Sequence, residues 1–306
     1  MKVNWIEMRD GTLLYSTIHE PADTPKAHVH LIHGLAEHSG RYSQFIDYLQ
    51  AYGYLITVHD QRGHGRTAIE NKQRYGYLGD HVSFDHLVDD VFEVIQFYQH
   101  AHPELSTTLI GHSMGSFVGR RFIQLYGNSV NQVVLSGTGS NPKLMGYIGG
   151  VLAQFREKRL PAQQPDELLN QMVFGKFSKQ FSDDNSSFAW LSREQESVKA
   201  YVEDEACGFV PTAQMFRVLL EGMDKIETPE WLRNIPNELP ILLLSGTDDP
   251  VGGRAKGVWK VAKQLVKAEQ QHVTVQLYEE GRHEMLQEIN RFEVFNNIVG
   301  WMNQHE

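Results

Sequence analysis

The feature that most constrains the fold is the pentapeptide Gly111-His112-Ser113-Met114-Gly115, which stands between an apolar run and an amphipathic segment. In this strand–turn–helix context, the pattern predicts a sharp turn that holds the serine hydroxyl above the edge of a sheet. Glycines suit the flanking positions because side chains there would collide with the strand or the helix. Such pentapeptides also occur by chance, so the rest of the chain must supply a base, an acid and an oxyanion site.

Apolar strands alternate with amphipathic helices on both sides of this turn. Residues 5–18 predict a hairpin around Asp10-Gly11. Further strands are predicted at residues 28–33, 54–59, 132–135, 241–244 and 273–278, and helices at residues 41–52, 84–98, 118–125, 258–265 and 286–298. Continuously apolar strands separated by helices predict an α/β fold, with a mostly parallel central sheet and helices on both faces.

The alternation stops between about residues 141 and 237, where prolines and helical patches replace strands. We interpret 141–237 as a helical cap over the carboxyl ends of the strands, and 1–140 with 238–306 as the core domain. The first part of the cap is strongly apolar and contains Leu144, Met145, Tyr147 and Ile148. The first interpretation of these residues is a helix that packs on the core; the second is that they line an apolar substrate channel or contact a membrane surface transiently.

Composition narrows the classes of partner. The net charge of −10 disfavours nucleic acid, and the single cysteine, Cys207, excludes an internal disulfide and a cysteine-based zinc site. His28, His30 and His33 alternate along one strand and do not converge on an ion, so no metal is expected. The first residues carry no long apolar segment, and no run of about 18 apolar residues occurs, so a cytoplasmic protein is expected. Oligomeric state is left open.

A serine hydroxyl needs a base, which in turn needs a carboxylate to orient it. In sheets of this type the chain order is serine, acid, histidine, each just past a strand end. After the strand at 241–244 come two aspartates, Asp248 and Asp249. We favour Asp249 because Pro250 biases the residue before it towards an extended conformation, and Asp248 stays open as the alternative.

The candidate base is His283, which follows a glycine turn after the strand at 273–278. The other histidines beyond Asp249 are His272, which opens that strand, and His305, which lies in the C-terminal tail. The oxyanion site requires two backbone N–H groups. We expect them from Met114, at the start of the helix, and from Leu35, in the loop after the strand at 28–33.

With these residues in place, the chain resembles α/β-hydrolases of the monoacylglycerol lipase and lysophospholipase branch, also called serine aminopeptidase-like. The resemblance runs nearly end to end, with two departures: family members often have glycine at the position of Ala36 and serine at that of Thr67. The matching strings are His33-Gly34-Leu35-Ala36-Glu37-His38-Ser39-Gly40-Arg41-Tyr42, Asp60-Gln61-Arg62-Gly63-His64-Gly65, Gly111-His112-Ser113-Met114-Gly115, Trp190-Leu191-Ser192-Arg193, Asp249-Pro250-Val251 and His283-Glu284.

The resemblance implies hydrolysis of a lipid ester, a monoacylglycerol or a lysophospholipid, without a cofactor or a metal. Ser113 would be the nucleophile, with Leu144, Met145, Tyr147 and Ile148 as candidates for an acyl pocket. A short-chain carboxylesterase or an aminopeptidase-like peptidase on the same fold is the alternative; the peptidase would need acidic groups such as 203–205 to hold a substrate ammonium. A ligand-binding protein on this scaffold is disfavoured because no triad member is missing.

Overall fold

Among the residues that the structure, a computed structural model, describes (1–141, 143–181 and 186–305), eight strands form one mixed sheet. The strands are β1 (Lys2–Glu7), β2 (Leu13–His19), β3 (Ala27–Ile32), β4 (Tyr54–His59), β5 (Thr107–His112), β6 (Gln132–Ser136), β7 (Ile241–Gly246) and β8 (Val273–Tyr278). Their order is β1-β2-β4-β3-β5-β6-β7-β8. The pairs β1–β2 and β2–β4 are antiparallel and all the others are parallel.

The helices flank this sheet and fill the long connection between β6 and β7. They are α1 (Ser43–Ala51), α2 (Gly65–Glu70), α3 (Phe84–Ala101), α4 (Met114–Tyr126), α5 (Leu144–Glu157), α6 (Glu167–Lys179), α7 (Gln195–Glu203), α8 (Ala213–Ile226), α9 (Pro229–Leu232), α10 (Lys256–Lys267) and α11 (Arg291–Gln304). Ser83 caps α3 in a reciprocal capping box with His86, which fixes where that helix begins.

The sheet is covered on both faces, which explains its apolar strands. Every residue of β3, β4, β5, β6 and β7 is buried. One apolar cluster joins the sheet to α3, α4, α8 and α10, and another joins it to α1 and α11. The predicted hairpin, the strand–helix alternation and the mostly parallel α/β sheet are therefore confirmed.

The regular elements described between β6 and β7 are the helices α5 to α9, joined by loops. Helix α8 contributes Met215 and Val218 to the same apolar cluster as α3 and α4, so this part of the segment is seated on the core. The division into a core and a cap at residues 141 and 237 stays a prediction. No helix in the described part of the chain is both long enough and apolar enough to cross a bilayer.

Several histidines are buried within the sheet layer. His28 Nε2 lies 2.7 Å from Thr57 Oγ1, and His30 Nε2 lies 3.1 Å from His59 Nδ1. Burial, reinforced by neighbouring histidines, lowers the pKa of His28, His59 and His64 to about 3. These rings are therefore neutral in the folded protein at pH values where exposed histidines are charged.

We expect the free energy of unfolding to fall steeply as the pH drops below 6.5. Between that value and the lowered folded-state pKa values, the unfolded chain binds more protons, so each such histidine removes about 1.4 kcal/mol per pH unit. His283 acts in the opposite sense, because its folded-state pKa lies above 6.5. Urea unfolding at pH 7, 6 and 5 measures the slope. His59→Asn should reduce this slope by the contribution of about one proton, whereas His100→Asn, at an exposed position, should not. An unfolding free energy that does not change with pH would contradict the expectation.

Candidate active site

Ser113 occupies the turn between β5 and α4 in a strained backbone conformation. Its φ is +52° and its ψ is −117°, a region that L-residues rarely adopt. A Cβ on Gly115 would overlap the carbonyl oxygens of Ile32 and His33, so the close approach of α4 to the end of β3 requires glycine there. The Ser113 amide donates to the Ser136 carbonyl on β6 at 2.9 Å, which fixes the turn to the sheet.

The structure brings Ser113, His283 and Asp249 together across more than 130 residues of chain. Ser113 Oγ lies 2.8 Å from His283 Nε2, and His283 Nδ1 lies 3.0 Å from Asp249 Oδ1. His283 and Asp249 are buried. Asp248 is half-buried beside them, and its amide donates to the Gly281 carbonyl. Of the two aspartates left open by the sequence, Asp249 is the one that reaches the imidazole.

The surroundings of His283 favour its charged form. Burial by itself would lower the pKa of His283, but the Asp249 carboxylate attracts and hydrogen-bonds the imidazolium, so the pKa lies above its ordinary value of 6.5. The neighbouring His112 ring, 4.9 Å away between centroids, behaves differently. Burial and the charge of His283 lower the pKa of His112 to about 4, so His112 stays neutral beside an imidazole that can take up a proton.

The amides of Leu35 and Met114 belong to the two backbone segments next to Ser113, the loop after β3 and the first residue of α4. Neither amide donates a hydrogen bond to another of the described residues, so both are free to bind a ligand oxygen. Next to Leu35, Ala36 has a φ of +56°, the left-handed region that favours glycine. Its carbonyl accepts from Gly208 N and from Tyr201 Oη, each at 2.9 Å, so the segment between β6 and β7 holds this strained loop in place.

A short segment, residues 189–193, packs against the loop that carries His283. The His283 and Glu284 amides donate to the carbonyls of Trp190 and Leu191 at 3.3 Å and 2.7 Å. Arg282 Nη1 donates to the Ala189 carbonyl at 2.7 Å. These contacts fix the segment against the loop that carries His283.

An aromatic wall stands beside His283. The Trp190 ring lies 5.2 Å from the His283 ring, and it packs against Phe177 at 5.2 Å and Phe174 at 6.1 Å between centroids. Sequence reasoning missed Phe174 and Phe177. Their spacing of three residues on a predicted helical patch places two aromatic rings on one helix face and could have signalled them.

The residues proposed for an acyl pocket do not form a closed lining where the structure describes them. The side chains of Leu144 and Met145 lie outside the described residues. Tyr147 and Ile148 are 66% and 47% exposed, because α5 turns its small residues, such as Ala153, towards α8. The exposure of Tyr147 and Ile148 differs from what an enclosed acyl pocket requires, and a role in substrate or membrane contact stays a prediction.

One group of potential metal ligands occurs in the described residues: His38, Asp204 and Cys207, whose ligand atoms lie within 4.8 Å of one another. His38 Nδ1 accepts from the Gly40 amide at 3.2 Å, so the ring proton is on Nε2, which donates to Asp204 Oδ2 at 2.9 Å. Burial raises the pKa of the Cys207 thiol far above its usual range, which opposes the thiolate that a metal needs. This arrangement is a hydrogen-bonded pair rather than a built metal site.

Comparisons with known proteins show which family and fold this chain is similar to. Residues 23–290 match the family model described as serine aminopeptidase, S33. The chain is 27% identical to human monoglyceride lipase over 301 residues, covering 96% of this chain and 88% of that protein. It is also 27% identical to a monoacylglycerol lipase of Mycolicibacterium smegmatis over 300 residues, covering 96% and 94%. A thermostable carboxyl esterase from Bacillus coagulans, solved with glycerol, superimposes with a TM-score of 0.91 at 25% identity, covering 99% and 98%.

Proposed function

The chain belongs to the serine aminopeptidase S33 family of α/β-hydrolases, and from this premise we propose that it cleaves carboxylic esters of lipids. The substrates are a monoacylglycerol or a lysophospholipid, and the products are a fatty acid and the released alcohol. The reaction passes through an acyl-enzyme on Ser113. The observation that carries the proposal is the hydrogen-bonded chain Ser113–His283–Asp249 with an aromatic wall directly against its histidine.

The mechanism follows from the positions of these atoms. Ser113 Oγ attacks the ester carbonyl carbon while His283 Nε2 takes the hydroxyl proton, and Asp249 stabilises the resulting imidazolium. The Leu35 and Met114 amides bind the oxyanion, and each such donor is worth about 3 kcal/mol in serine hydrolases. Collapse of the tetrahedral intermediate breaks the bond to the alcohol oxygen, which receives the proton from His283. Water then repeats the sequence on the acyl-enzyme and releases the fatty acid.

The apolar surroundings of the histidine support an acyl chain as the substrate group. Trp190 lies against His283, which bonds the reacting oxygen, and the rings of Phe174 and Phe177 on α6 extend this carbon surface. The acidic run at 203–205 supports the peptidase alternative poorly. Its Asp204 is hydrogen-bonded to His38, and Glu203 and Glu205 are exposed, so these carboxylates are solvated or paired rather than gathered into a binding site for an ammonium group.

We expect kcat/KM to rise with acyl length, by at least about tenfold from butyryl to dodecanoyl glycerol, because each buried methylene stabilises the complex by about 0.8 kcal/mol. Fatty-acid release is measured from monoacylglycerols and lysophosphatidylcholines of equal chain length, from short esters and from aminoacyl amides. The Ser113→Ala protein serves as the blank. Faster turnover of aminoacyl amides than of every acyl ester would overturn the lipid proposal, and a preference for butyryl esters would favour a short-chain carboxylesterase.

A further inference from the structure

Three charged side chains form a buried bridge beside the catalytic residues. Arg41 Nη1 donates to Glu37 Oε2 and to Glu284 Oε1, each at 2.6 Å, and Arg41 Nη2 donates to Glu284 Oε2 at 2.8 Å. The exposed fractions of the Arg41, Glu37 and Glu284 side chains are 9%, 3% and 5%. The planar guanidinium is suited to this geometry, since it binds one carboxylate through two nitrogens and still reaches a second.

One end of the bridge holds the loop of the oxyanion site. Glu37 Oε1 accepts from the Gly34 amide at 2.5 Å and from Tyr42 Oη at 2.7 Å. Gly34 precedes Leu35, and a Cβ on Gly34 would stand 3.2 Å from the Cβ of Ser113. Any shift of the Glu37 carboxylate therefore moves backbone that touches the nucleophile and carries the Leu35 amide.

The other end of the bridge holds the loop of the base. Glu284 is the neighbour of His283 in the chain, and its amide is fixed by the Leu191 carbonyl. Gln287, further along the same loop, donates from Nε2 to the Arg41 carbonyl at 2.7 Å. The Arg41 guanidinium itself stacks over the Tyr201 ring at 4.7 Å. Arg41 is thus the common point at which the β3 loop, the His283 loop and α7 meet.

The charges in the bridge do not cancel. Burial would raise the pKa of Glu37, but the charge of Arg41 outweighs it and lowers that pKa to about 2, so Glu37 is ionised. Two acidic side chains share one guanidinium, so the three side chains of the bridge carry one formal negative charge. Burying three charges stabilises a fold less well than apolar packing of the same volume. The carboxylates of Glu284 and Glu37 favour the charged form of His283, which is the form that arises when the imidazole takes up the serine proton.

We propose that Glu37, Arg41 and Glu284 act as positioning residues. They fix the position of the oxyanion loop relative to the His283 loop, and they place a net negative charge beside the imidazolium. This inference rests on the proposed roles of Ser113 and His283. The three residues touch no reacting atom, so their effect is exerted through the Leu35 amide and the imidazole. The titratable and charged groups that face His283 from the surrounding elements are Asp249, His112, Glu37, Arg41 and Glu284.

Two variants separate the charge of the bridge from its geometry. Glu284→Gln keeps the size and a carbonyl acceptor but removes one negative charge. We expect kcat to fall about ten- to a hundredfold with KM changed less than about twofold, because misplaced catalytic groups lose rate rather than binding. The acidic limb of kcat/KM should also move about 0.5 to 1 pH unit lower, because the imidazolium loses a favourable charge.

Arg41→Lys keeps the positive charge but cannot bind both carboxylates through a planar fork. We expect a similar loss of kcat with the acidic limb within about 0.2 pH unit of wild type, since the net charge is unchanged. The matched control is Asp90→Asn, which neutralises a buried carboxylate paired with Arg62 at 2.6 Å in another part of the core. That control should leave both kcat and the acidic limb unchanged.

Melting temperatures of all four proteins show that each variant is folded under the assay conditions. Loss of kcat in both variants, with the acidic limb shifted in Glu284→Gln alone, supports the inference. Wild-type kcat in either folded variant, or equal loss at every pH in Glu284→Gln, overturns it. If the wild type hydrolyses esters through Ser113 while the bridge variants are unimpaired, only the positioning role fails. If Ser113→Ala retains wild-type activity, both this inference and the proposed function fail.

Discussion

Replacement of Ser113 by alanine should reduce kcat for ester hydrolysis by about 10⁴- to 10⁶-fold. The hydroxyl oxygen that this change removes lies 2.8 Å from His283 Nε2 and is the atom that forms the acyl-enzyme in the proposed mechanism. The amides of Leu35 and Met114 remain, so a residual rate above that in water is expected from oxyanion binding alone. Alanine can adopt the strained turn at about the same cost as serine, so the melting temperature should change little.

The measurement is fatty-acid release from a monoacylglycerol, together with labelling by a fluorophosphonate, which reacts with activated serines. Ser136→Ala is the matched control, because it makes the same chemical change at a buried serine that stands opposite His112 on the neighbouring strand β6. The control should retain wild-type turnover and labelling. Wild-type turnover by the Ser113→Ala protein would show that another residue attacks the ester.

Replacement of Asp249 by asparagine should lower kcat by about 10⁴-fold. The asparagine amide would donate to His283 Nδ1 and hold the ring in the tautomer whose Nε2 carries the proton, which cannot accept one from Ser113. The lost carboxylate also removes the charge that raises the pKa of His283. Asp249 Oδ1 also accepts from the Val251 amide at 2.8 Å, and an asparagine NH2 group at that position gives up this contact, so the melting temperature of Asp249→Asn is measured beside its activity.

Asp248→Asn is the natural companion, because it makes the same chemical change one residue away. Asp248 is half-buried, and the contact that places it is made by its backbone amide with the Gly281 carbonyl. We expect less than about a threefold loss of kcat from Asp248→Asn. Greater damage from Asp248→Asn than from Asp249→Asn would reverse the assignment of the acid.

Much of the fold could be predicted because it is encoded over short distances in the chain. Continuous apolar runs predicted β3 to β8, and the Asp10-Gly11 turn predicted the antiparallel pair β1 and β2. Ser83 indicated the start of α3, since a serine side chain can satisfy amides at a helix end. The ends of helices are predicted less accurately where local signals are weak. The pattern predicts the last helix from residue 286, whereas α11 begins at Arg291 after a short 3₁₀ turn.

The candidate site also has a part that local signals in the sequence could predict. The glycines around Ser113, the proline after Asp249 and the order of the strand ends identified the residues that the structure brings within hydrogen-bond distance. Those signals are local, because they depend on which backbone angles a few neighbouring residues can adopt. The strands then had only to be parallel and adjacent for their carboxyl ends to meet.

What the sequence by itself determined is therefore the α/β sheet and the set of residues at its carboxyl edge. Only the tertiary structure showed that Asp249 lies within hydrogen-bond distance of His283, that Trp190 packs against the same ring, and that Arg41 joins Glu37 to Glu284. It also turned Tyr147 and Ile148 outwards. The physical reason is that these contacts join segments up to about 250 residues apart, and their partners are chosen by packing and burial rather than by the conformational preferences of neighbouring residues.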